Sequence, residues 1–102
     1  IDAFLSRTTL RQIEIMSGLR MHGSISRAAQ ALQMSVANVS RVSGRFEANL
    51  GVKLFQGDGR RFHLSPEGEK ILDQLLPLMC EIVALRDHLK IIRNLSDGHE
   101  AR

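Results

Sequence analysis

Between Ile71 and Ile92, seven aliphatic residues (Ile71, Leu75, Leu78, Ile82, Leu85, Leu89, Ile92) recur at alternating spacings of four and three. That is the pattern of a helix whose apolar seam meets another helix. At 1.5 Å per residue the seam is about 32 Å long, more than a small domain needs for its own core. It predicts one long helix that pairs with a second copy. A second stripe, Leu72, Leu76, Met79 and Val83, stops at Arg86 and is expected to pack on the rest of the chain. Pro77, beside the seam, predicts a kink or local break. Ser65-Pro66-Glu67 is the expected start: a capping hydroxyl, proline at the first position and an acid in the first turn. Ser96-Asp97-Gly98 marks the expected end, near Leu95.

A chain of 102 residues holds one domain with such an appendage. With 43% hydrophobic residues and a net charge of only +3, the composition argues against disorder. The single cysteine, Cys80, excludes an intramolecular disulfide framework and fits a reducing cytoplasm. No uncharged apolar run is long enough to span a membrane, and residue 1 onward does not read as a signal peptide. The start at Ile1 suggests a partial chain. Four Phe without Trp or Tyr leave no aromatic platform for single-stranded bases. His22, His63, His88 and His99 share no metal-ligand spacing, and Cys80 sits in an apolar run without a nearby His. Neither catalysis nor a metal or cofactor is expected, and Cys80 reads as a packing residue.

Ahead of the long helix the punctuation is dense. Thr9 caps a helix to about Met21, closed by His22-Gly23; Ser24 and Ser26 offer caps for a short helix over 27–32; Ser35 caps a third over 36–50, stopped by Gly51. Strands over 52–56 and 60–64 flank Gly57-Asp58-Gly59, a hairpin signal. The order is that of a mainly α winged helix-turn-helix, three helices and a two-stranded wing, followed by a long dimerisation helix. The expected division is 1–65 for the winged domain, 66–95 for the linker helix and 96–102 for a tail.

Charge follows the same division. Residues 1–66 hold nine basic and four acidic side chains, and residues 67–102 hold five and seven. A basic head beside a non-basic helix is the electrostatic pattern of a polyanion binder. Ala28 and Ala29 let the second and third helices approach, with Leu32, Met34, Val39, Val42 and Phe46 filling the wedge. With Val39 inward, a rotation of 100° per residue turns Ala37, Ser40, Arg41 and Gly44 outward, flanked by Asn38 and Arg45. No carboxylate interrupts that face before Glu47. A fork of donors at Arg41 suits guanine O6 and N7. Arg60, Arg61 and His63 on the wing suit phosphates or a narrow minor groove. Gly44 costs about 1 kcal/mol in mid-helix; it either admits a phosphate backbone or is a tolerated surface glycine.

The blocks G-S-I-S-R-A-A-Q-A-L-Q-M-S at 23–35, V-S-R at 39–41, F-E-A-N-L-G-V-K-L-F at 46–55 and G-R-R-F-H-L-S-P-E-G at 59–68 resemble the DNA-binding domain of LysR-type transcriptional regulators. The resemblance covers about positions 10 to 85. It implies a dimeric, sequence-specific regulator of double-stranded DNA with a partly palindromic operator. It also implies a recognition helix over 36–50 in the major groove and a wing over 53–64 at the minor groove. A C-terminal effector-binding domain, absent from this chain, is implied as the place for any small-molecule effector. Arg27 matches a phosphate-contacting position, Ser35, Ala37, Ser40 and Arg41 match recognition positions, and Arg60 matches the basic wing. Where the family commonly reads Ser-Gln-Pro-Ala, this chain has Ser35-Val36-Ala37-Asn38, and Val42 and Gly57 replace a frequent Gln and Arg. The candidate base-reading set is thus Ser35, Val36, Ala37, Asn38, Ser40 and Arg41. Arg27, Arg45, Arg60, Arg61 and His63 form the candidate backbone and wing set. Two other readings stay open: a dimeric winged-helix interaction module that binds DNA weakly, and the DNA-binding part of a repressor of the molybdate-responsive type. Pro77 and the bulk of two heads favour antiparallel pairing of the long helices.

Overall fold

Side-chain and glycine caps cut the first half of the chain into helices. The structure, a computed structural model, describes residues 2–56 and 63–100. Thr9 and Gln12 exchange hydrogen bonds of 3.1 and 3.0 Å in a capping box that opens α2 (Leu10–His22), and Gly23 closes it at φ 73°. Ser24 caps α3 (Ile25–Leu32), which starts two residues earlier than the sequence suggests. Ser35 caps α4 (Val36–Leu50), and Gly51 ends it at φ 71°. A short helix that the sequence did not announce, α1 (Ala3–Arg7), precedes these. Five residues are too few for a periodic pattern; α1 stands on Asp2, which accepts from the Leu5 amide at 3.0 Å, and on Phe4, which packs on the core.

The core lies where α2, α3 and α4 meet the start of the last helix, α5 (Pro66–Glu100). Ile15, Met16, Leu19, Val39, Phe46 and Leu72 are fully buried there. Ala28 and Ala29 are buried between α3 and its neighbours, and Leu32, Met34 and Val42 pack at the edge, as the wedge pattern predicted. Ser17 is also buried, and its hydroxyl finds no partner among the described residues. A stranded hydroxyl costs of order 1 kcal/mol or more. Ser17→Ala is therefore expected to stabilise the chain by about 1 kcal/mol, seen as a raised midpoint in denaturant with an unchanged slope.

The first strand of the wing is shorter than expected, and the Gly57-Asp58-Gly59 turn lies outside the described residues. Strand β1 (Phe55–Gln56) pairs antiparallel with β2 (His63–Leu64), Phe55 opposite Leu64 and Gln56 opposite His63. Positions 52–54 are not strand, because their surroundings are already committed elsewhere. The Leu54 amide donates to the Glu47 carboxylate at 2.6 Å, and the Leu54 carbonyl accepts from the Ser65 amide at 2.8 Å.

Helix α5 departs from expectation in three ways. It runs through Pro77 without a break; Pro77 and Asp73, whose carbonyl loses its helical partner, are both exposed. The local break expected at Pro77 is therefore absent. It also continues past Leu95 to Glu100, so 96–100 are helical rather than tail: Gly98 stops a helix only when it turns left-handed, and here it does not. Finally, the seam is divided. Leu75, at 6% exposure, and Ile71 belong to the chain's own core with Leu72, while Leu78, Leu85, Leu89 and Ile92 face solvent and Ile82 is half-buried. One helix face serves two purposes because the head occupies only its first turns. Among the described residues, no helix is long and apolar enough to cross a membrane.

Candidate nucleic-acid interface

Helix α4 owes its orientation to Val39, Ser43 and Phe46, which are buried against α2 and α3. The tight connection before it is held by the Met34 amide, donating to the Ala29 carbonyl at 2.9 Å, and by Gln33 in the left-handed region at φ 57°. Gly18 of α2 permits the close approach of α3, since a Cβ there would sit 3.2 Å from Leu32 Cδ1. With the inner face so fixed, Ala37, Ser40, Arg41, Gly44 and Arg45 are exposed on the outer one, as the helical rotation predicted; Asn38 is half-buried, and Val36, in the first turn, is exposed as well.

The charge on that outer face is wholly positive. The one acid of α4, Glu47, is turned aside, its carboxylate accepting from the Leu54 and Phe55 amides at 2.6 and 3.2 Å. It anchors the wing to the helix instead of opposing an approaching anion, a role the sequence did not disclose. Arg27, on α3, and Arg45 are exposed and form no ion pair among the described residues. Arg41 donates through its Nη2 to the Asn38 carboxamide oxygen. The Arg41 guanidinium places a fork of donors on the exposed face, and such a fork suits guanine O6 and N7. Ser35 spends its hydroxyl oxygen on the Asn38 amide at 3.1 Å, as the helix cap.

A Cβ at Gly44 would meet nothing within 4 Å. The chain's own packing gives no reason for glycine there. Arg60 and Arg61 lie outside the described residues, and His63 enters only through its strand pairing with Gln56. Cys80, expected to pack, is exposed, because α5 has already left the core by that point. Among the described residues, no group of three His, Cys, Asp or Glu is placed to hold a metal ion.

Gly68 went unremarked in the sequence, yet it sets where the helical arm leaves the head. A Cβ at this position would lie 2.3 Å from the Leu54 carbonyl oxygen. The Gly68 amide donates to Ser65 Oγ at 2.9 Å, and that hydroxyl donates to the Lys53 carbonyl at 3.1 Å. The only available sequence signal was a glycine in the first turn of an otherwise well-formed helix.

Residues 10–69 match the sequence model of a family described as bacterial regulatory helix-turn-helix protein, lysR family. The HTH-type transcriptional regulator CfxR of Cupriavidus necator is 26% identical over 96% of this chain and 31% of its own length. A structure of a Corynebacterium glutamicum OxyR C206 mutant superposes with a TM-score of 0.76 at 26% identity, covering 82% of this chain and 27% of that one. The BenM DNA-binding domain, solved in complex with catB site 1 DNA, shares the fold with a TM-score of 0.74 at 22% identity, over 83% of this chain and 96% of that one. The chain thus spans about a third of the length of a relative such as CfxR.

Proposed function

The chain belongs to the LysR family of bacterial regulatory helix-turn-helix proteins, and on that premise we propose that it is the operator-binding part of a longer cytoplasmic transcription regulator. Helix α4 lies in the major groove of double-stranded DNA, Arg27 and Arg45 meet phosphates, and the wing with Arg60, Arg61 and His63 follows the flanking minor groove. Positions 1–65 form the DNA-binding unit, and the helix from 66 onward is the linker through which two copies pair on a partly palindromic operator. A C-terminal domain beyond this chain holds the effector site. The observation that carries this reading is the outer face of α4, exposed from Val36 to Arg45 and free of carboxylate. Gly44 fits it, since a face with no side chain at its middle lets a sugar-phosphate backbone come close.

The experiment is a titration of fluorescent duplexes, selected from a random pool, at several salt concentrations. Specific binding whose logarithmic affinity falls linearly with the logarithm of salt is the expected result. Arg41→Ala should cost about 1–3 kcal/mol on the selected site and relax the preference at one base pair. An equal loss on random duplexes would make Arg41 a phosphate contact instead.

A further inference from the structure

Val36 occupies the first position of α4 with 50% of its surface exposed, and no other large apolar side chain on that helix is so exposed. Ala37, Ser40 and Arg41, farther round on the outer face, are exposed too. Lone exposed valines are commonplace; what distinguishes this one is its place. The N-terminal turn of a helix in the major groove is the part that meets base edges. Those edges consist of hydrogen-bonding groups with one apolar exception, the C5-methyl group of thymine. A valine set over any other edge would strip water from a polar atom and return nothing for it.

The geometry points to a thymine whose methyl group packs against Val36, with the Ala37 methyl closing the same apolar end of the helix; this specificity rests on the groove-bound α4 proposed above. Arg41 follows five residues later, about 7.5 Å along the helix axis. Helix α4 thus has an apolar end and a donor end, and the preferred half-site carries both a thymine and a guanine.

The test starts from duplexes that the chain retains out of a random pool. Each thymine is replaced in turn by 2′-deoxyuridine, which removes the methyl group and leaves every hydrogen-bonding group in place. At one position per half-site the substitution should weaken binding roughly fourfold, the worth of one buried methyl. Val36→Ala should bind the thymine and deoxyuridine duplexes equally; its side chain is exposed, so an unchanged circular dichroism spectrum is expected alongside. Specific binding with no deoxyuridine-sensitive position, or a sensitivity that survives in Val36→Ala, would overturn this reading and leave the proposed function standing. A chain that retains no DNA would remove both.

Discussion

Gly68→Ala is expected to destabilise the chain by about 3 kcal/mol or more, at the upper end of what overpacking costs. The added Cβ would stand 2.3 Å from the Leu54 carbonyl oxygen and 3.1 Å from its carbonyl carbon and Cα. None of these atoms can retreat cheaply. Leu54 is held from one side by the Ser65 amide at 2.8 Å and from the other by Glu47 at 2.6 Å. Helix α5 must therefore shift outward, which breaks the Ser65 cap and uncovers Leu72 and Leu75. Because a domain of this length has a stability of only about 5–15 kcal/mol, the melting temperature should fall by roughly 15 °C. Gly44→Ala is the matched control: its Cβ would meet nothing within 4 Å, so stability should hold or rise. Equal melting of the Gly68 variant and the parent would show that the contact yields without cost.

Leu85→Asp should leave the folded chain intact and abolish its pairing. Leu85 is 57% exposed in the single chain, so the fold does not depend on it. It stands in the middle of the solvent-facing part of the seam, with Leu78 before it and Leu89 and Ile92 after. In a pair formed through that seam, aspartate would bury an unpaired carboxylate, a change that costs several kcal/mol. The variant should sediment as a monomer with the parent's helical content. Its affinity for a duplex with two half-sites should fall at least about a hundredfold, as the second binding event ceases to be intramolecular. A parent chain that is already monomeric at about 10⁻⁵ M, a modest affinity, would remove the pairing from the proposal.

The parts legible in the sequence were those governed by local chemistry. Thr9, Ser24 and Ser35 cap helices because a short side chain can reach its own backbone, and Gly23 and Gly51 end them because they turn left-handed. The outer face of α4 followed from one inward residue, Val39, and a fixed rotation. What escaped were features set between distant segments. Nothing in the sequence near Glu47 says that its carboxylate meets two amides beyond Gly51, and nothing near Gly68 announces the Leu54 carbonyl. Leu75 fits the seam by spacing as well as Leu85 does; only the position of the head decides that the first is core and the second surface. The end of α5 was misjudged for a related reason, since Ser96-Asp97-Gly98 stops a helix only if something turns Gly98 left-handed.

The tie from Glu47 through Leu54 to Ser65 and Gly68 has a mechanical meaning. Groove-facing helix, wing base and the first turn of the long helix are riveted at short intervals, so they form a bracket without a hinge. From Ala84 to Ser96 every residue of α5 is exposed, a free shaft beyond the bracket. Two such brackets joined by their shafts would act as a caliper, whose span is fixed by the shaft and its crossing angle. One base pair added between half-sites displaces the second groove by about 3.4 Å and turns it by roughly 35°. Jaws of that kind would not follow the turn, so the bending would fall to the shaft or to the DNA.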